Sequence, residues 1–173
     1  MPRASSTPVA AKSSPGASRP VTPSTEEVEL VVDGFIDKFA RDTAACIRAC
    51  RAELRRQLPG AYELIYDNYN FFVIGYSPTE RPSDTVVSLA AASNGVGLSF
   101  YRGASLPDPH GILLGSGVQN RFIRLPSASV LGRPEVEALI DAAVAQARAP
   151  FAPRGRGQLV IRSVSKKQRP RSR

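Results

Sequence analysis

Asn94–Leu125 reads NGVGLSFYRGASLPDPHGILLGSGVQNRFIRL, and both of its ends have the period of a strand. Val96, Leu98 and Phe100 alternate with Gly97, Ser99 and Tyr101, the signature of a strand with one face in a core. Arg121–Leu125 is the second strand of the pair. Leu106-Pro107-Asp108-Pro109 makes a turn between them, and Gly111–Gly117 a short apolar turn of helix or loop. Upstream, Ser93-Asn94-Gly95 is a tight hairpin leading back to a strand over Thr85–Ala92. Earlier still, Tyr62, Leu64 and Tyr66 share one strand face, and Phe72, Ile74 and Tyr76 share a face on the next run.

Helical periods flank these strands. Thr25 caps a first helix over Glu26–Ala40, with Val28, Val31, Val32, Phe35 and Phe39 on one stripe and Glu26, Glu29, Asp33 and Asp37 on another. A second helix, capped by Asp42 or Thr43 and stopped by Pro59-Gly60, buries Ile47, Cys50, Leu54 and Leu58, while Arg48, Arg51, Arg55 and Arg56 point outward or to its flanks. A last helix starts near Arg133-Pro134 and uses Val136, Leu139, Ile140, Ala143 and Val144. The order α-α-β-β-β-β-β-α predicts an α+β two-layer sandwich, an antiparallel sheet of about five strands with the helices on one face.

The 173 residues carry a net charge of +8, unevenly spread. Residues 1–24 contribute +3 and residues 151–173 contribute +8, so 25–150 is mildly acidic at −3. Residues 1–24, rich in Pro, Ser, Ala and Thr, lack the apolar surface to offset their ordering entropy and are expected to be disordered. The predicted organisation is a domain over 25–150 followed by a basic arm over 151–173. Within that arm Leu159, Val160, Ile161 and Val164 suit an edge strand or a docking segment, and Arg162, Lys166, Lys167, Arg169, Arg171 and Arg173 are the candidates for contact with nucleic acid or an acidic partner. No apolar run approaches the roughly 18 residues of a membrane span, and the N-terminus lacks the apolar core of a secretory signal. A cytoplasmic location is the expectation.

No catalytic constellation emerges. Gly111, Gly115 and Gly117 are followed by Val118-Gln119 rather than the Lys-Ser/Thr pair of a phosphate loop. His110, the sole histidine, lies in a Pro-flanked turn near Ser105 and Asp108, without a nucleophile elbow. Cys46 and Cys50 lack the third thiol an iron–sulfur site of that kind wants. The chain is therefore expected not to be an enzyme. Glu26, Glu29, Asp33 and Asp37, one helical turn apart, form a candidate set of hard oxygen ligands for iron or calcium, against the plainer reading of an amphipathic helix's wet face. A small-ligand pocket on the sheet lined by Tyr66, Tyr76 or Tyr101 is a further expectation.

Three segments carry a family resemblance: PGAYELIYDNYNFFVIGY, then VVSLAAASNGVGLSFYRGASLPDPHGILLGSGVQNRFIRL, then VEALIDAAVAQA. Over residues 28–148 or so they resemble the YdhG-like bacterial domain of unknown function. The resemblance implies a small α+β fold related to frataxin-like proteins. For at least one branch it implies an intracellular iron chaperone that passes iron to iron–sulfur or haem assembly proteins, holding it through exposed carboxylates such as those of the first helix. Departures occur at Val118, Phe122 and Tyr69-Asn70, where members often have Lys, His and a Met-Pro pair.

Overall fold

The computed structural model describes residues 23–153 and 157–172. Of the segment expected to be disordered, only Pro23 and Ser24 lie within them. Helix α1 (Thr25–Ile36) is capped by Ser24 rather than Thr25. The Ser24 hydroxyl accepts from the Glu27 amide and the Glu27 carboxylate accepts from the Ser24 amide, so two of the helix's orphan donors are satisfied reciprocally. The helix stops short of the expected Ala40, and its buried face is Val32, Phe35 and Ile36. Val31, expected inside, is 45% exposed. Helix α2 (Arg41–Gln57) begins after Ala40 without a side-chain cap. It buries Ile47, Cys50 and Leu54 as the periodicity predicts.

Strands β1 (Tyr62–Asp67), β2 (Phe72–Ser77), β3 (Val87–Ala92), β4 (Gly95–Phe100) and β5 (Arg121–Arg124) run as an antiparallel meander. Gly95 closes the β3–β4 turn at φ 132°, a conformation open to glycine alone among the residues there. Helix α3 (Pro134–Ala145) and a connection then carry the chain to β6 (Leu159–Val164). The sheet has six strands in the order β5-β4-β3-β2-β1-β6. β6 pairs parallel with β1, so the sheet is mixed rather than purely antiparallel. The two-layer α+β architecture is as expected; the sixth strand is the correction.

One face of the sheet packs on the helices. Phe72, Ile74 and Tyr76 of β2, Val87 and Leu89 of β3, Val96, Leu98 and Phe100 of β4 and Ile123 of β5 join the helical residues Ile36, Ile47, Leu54 and Leu139 in one core. Phe72 stands tilted against Phe35 and Phe39, with centroids 6.2 and 6.4 Å apart. Burying chains of this size contributes on the order of 1.5–3 kcal/mol each, and this layer is the main source of stability.

Residues 157–172, read from the sequence as an arm beyond the domain, return to the sheet. Gly157 lies so close to β1 that a Cβ there would fall 1.4 Å from the Ala61 carbonyl oxygen, and the Glu63 amide donates to the Gln158 carbonyl at 3.0 Å. Beyond β6 the Ser165 amide donates to Asp67 and the Arg169 amide to Tyr69.

Candidate functional site

The α1 carboxylates were the first candidate, and the structure does not gather them into a ligand set. Asp37 receives Arg48 at 2.6 Å, and Asp33 lies 3.5 Å from the same guanidinium. Glu29 receives Arg51 at 2.9 Å and Arg55 at 2.5 Å. Glu26 is exposed and outside these pairs. Burial opposes ionisation of Glu29, yet the hydrogen bond and charge of Arg55 and the charge of Arg51 hold its carboxyl below the usual range. Among the described residues no group of three or more His, Cys, Asp or Glu side chains is arranged to hold a metal ion. An iron ion at this helix would have to displace arginines already seated on three of the four carboxylates. An anaerobic ferrous titration is therefore expected to give the same weak isotherm for the native chain and for Asp33→Ala/Asp37→Ala.

Arg51 and Arg55 belong to a cluster the periodicity did not reveal. Arg51, expected to point outward or to a flank of the helix, is 6% exposed. It donates from Nε and Nη2 to Glu63, at 3.2 and 2.7 Å, and Arg55 donates to the same carboxylate at 2.9 and 2.6 Å. Glu63 faces the helices because Tyr62, Leu64 and Tyr66 take the other face of β1. The Tyr76 hydroxyl is buried beside this cluster without a hydrogen-bond partner among the described residues. Burial, and then the charge of Glu63, push its pKa well up.

A second buried carboxylate, Asp67, anchors the C-terminus. Arg171, proposed from sequence as a polyanion contact, is 4% exposed. It donates to the Asp67 carboxylate and to the Asn68 carbonyl, the latter at 2.7 Å, and lies 5.1 Å over the Phe39 ring. Lys38 and Gln168 also donate to Asp67, each at 2.6 Å. Arg162, Lys166, Lys167 and Arg169 are exposed; Arg173 lies outside the described residues.

Two sets of chemical candidates remain, the cysteines of α2 and the turn around His110. The Cys46 and Cys50 sulfurs are 3.9 Å apart, and burial, aided by Cys46, pushes the Cys50 thiol up to about 12. It is a protonated core residue at neutral pH. His110 is exposed, while Asp108 accepts the Ile112 and Leu113 amides at 3.0 and 2.9 Å and Ser105 bonds to Arg102 and Gln146. No triad forms there. The glycines after it lead into a bridge between Leu114 and Phe122 rather than into a helix.

The open face of the sheet holds the most ligand-like feature. Two rows cross it: Val73, Ala90, Gly97 and Arg124 in register, and beside them Ser88, Ser99 and Phe122. The central strands β3 and β4 thus present only small side chains, while β2 and β5 carry larger ones. The result is a trough of about 660 Å³, open to solvent and rimmed by the half-exposed rings of Phe71 and Tyr101. Its volume falls in the range of small-molecule sites, roughly 300–1,000 Å³. Of the three tyrosines named from the sequence only Tyr101 lines it; Tyr76 faces the helices, and Tyr66 stands on β1 outside the lining.

No protein-family model, curated protein or solved structure significantly matches the chain. Among the described residues no helix is long and apolar enough to cross a membrane.

Proposed function

We propose that this protein is a binding module that holds a small organic ligand in the trough on the open face of its sheet. The observation that carries the reading is the run of Ser88, Ala90, Gly97 and Ser99 across β3 and β4, which leaves about 660 Å³ between larger walls. A solvated sheet face with no task has no need of small residues on adjacent central strands; bulkier β-branched chains suit the pleat better. Catalysis is not part of the proposal. Among the described residues the lining holds no carboxylate, histidine or cysteine to move a proton or attack a carbonyl.

Filling the trough tests this. Ala90→Phe adds a ring to the solvent-facing row and is expected to leave stability within about 1 kcal/mol, since no core contact changes. Ligand binding, followed by equilibrium dialysis or fluorescence, is expected to fall below detection. Binding that survives Ala90→Phe would place the ligand elsewhere.

A second reading rests on Arg162, Lys166, Lys167 and Arg169. All four are exposed, and none is in an ion pair among the described residues. They form a basic border along β6 and the segment after it. Such a border keeps an open strand edge from pairing with other chains, and it would also attract a polyanion. If it binds nucleic acid, affinity for a single-stranded oligonucleotide falls steeply with salt and Lys166→Glu/Lys167→Glu removes it. Edge protection alone predicts no binding by the native chain and aggregation of an uncharged variant.

A further inference from the structure

We infer that the trough selects a flat apolar carboxylate, oriented by Arg124; this rests on the trough reading above. Among the described residues Arg124 is the one charged side chain in the lining. It is exposed and makes no ion pair or side-chain hydrogen bond with the described residues. Among the described residues its guanidinium is therefore without a partner at the β5 wall, at the end of the Val73–Ala90–Gly97 row. A second donor, Asn120, also lines the trough, beyond Phe122 along the same side. The Ser99 hydroxyl donates to Oδ1 of Asn120 at 2.6 Å, which fixes that amide and leaves its NH₂ group to donate. With Arg124 as the cation and no acid among the described residues of the lining, the Arg124 end of the site favours an anion. The planar fork of an arginine matches the two oxygens of a carboxylate.

The rest of the site sets the shape of the ligand. Adjacent strands lie about 4.8 Å apart and alternate residues about 7 Å apart along a strand. The floor between β2 and β5 is then about 14 Å wide from backbone to backbone and two rows deep. Val73 and Phe122 stand on its sides and narrow it below the ~10–12 Å diameter of a helix with its side chains. A fused ring system fits this gap, flat against Ala90 and Gly97, with the Phe122 ring available to stack on it.

The test uses the full chain and three probes of one shape: 2-naphthoate, its neutral primary amide and the corresponding naphthylmethylamine. Binding is read by calorimetry or ligand-observed NMR. The acid is expected to bind about tenfold or more tightly than the amide, and the amine most weakly, as a charge-assisted pair predicts. Arg124→Gln is expected to bring the acid down to the level of the amide without lowering the melting temperature, and Ala90→Phe to abolish binding of all three. Equal affinity for acid and amide, or indifference to Arg124→Gln, overturns the carboxylate assignment while leaving the trough in place. Failure of all three probes to bind, or binding indifferent to Ala90→Phe, overturns both. A dimer in solution that Ala90→Phe dissociates would show a second copy on this face and also overturn the inference.

Discussion

Glu63→Gln is expected to destabilise the fold by about 3 kcal/mol, the lower end of the cost of removing one partner from a buried ion pair. The isosteric change keeps the shape of the side chain and removes its charge. Arg51, 8% exposed at its side chain, then faces β1 without the carboxylate that receives two of its N–H groups, and Arg55 loses the same partner. Glu29 still bridges both guanidiniums, which is why the lower end applies. The melting temperature should fall by roughly 6–12 °C, from the usual scaling for a domain of this size. Glu53→Gln is the natural control. Glu53 pairs with Arg56 on the exposed side of the same helix, where an ion pair contributes at most ~1 kcal/mol.

Asp67→Asn is expected to have the largest effect, about 3–5 kcal/mol, because it strands a guanidinium more deeply. Arg171 is 2% exposed at its side chain and Asp67 is fully buried. The substitution also weakens the anchors of Lys38 and Gln168, so the chain after β6 should detach and become cleavable by trypsin at Lys166 and Lys167. The pH dependence has a definite sign. Burial opposes ionisation of Asp67, but hydrogen bonds from Lys38, Gln168 and Arg171 and the charge of Arg171 bring its folded-state pKa below 3.8. A depressed carboxyl stabilises the fold fully above the unfolded-state value near 4, and that stabilisation is lost as pH falls through the lower folded value. Urea titrations at pH 7, 4 and 3 should therefore show the native chain losing stability below pH 4, and Asp67→Asn losing less over the same interval.

These two carboxylates show where the sequence could be read and where it could not. Alternation in Asn94–Leu125 placed Val96, Leu98 and Phe100 inside and Gly97 and Ser99 outside, and the structure agrees. The same outside residues make the trough floor, although glycine and serine on a strand carry no mark of a ligand until the register sets Ala90 beside Gly97. On β1 the alternation was read with Tyr62, Leu64 and Tyr66 as the informative face, while the helix-facing set is Glu63, Ile65 and Asp67. The signal available was the excess of arginine on α2 opposite two acids on a strand otherwise buried. For Arg171 there was none, since its partner is 104 residues away in the chain. Periodicity speaks to neighbours on one element, not to pairs joined by topology. β6 was foreseen only as one alternative for a basic arm, because a parallel edge strand has neither a hairpin nor a turn to announce it.

The trough is tested most directly by chemical-shift mapping on the uniformly ¹⁵N-labelled full chain with a panel of flat aromatic acids. The amides of Val73, Ala90, Gly97, Ser99 and Arg124 are expected to shift together and saturate with a single affinity. Shifts confined to the α1 amides or to residues 162–169, with the β3 and β4 amides unmoved, would contradict a binding module built on the open face of the sheet.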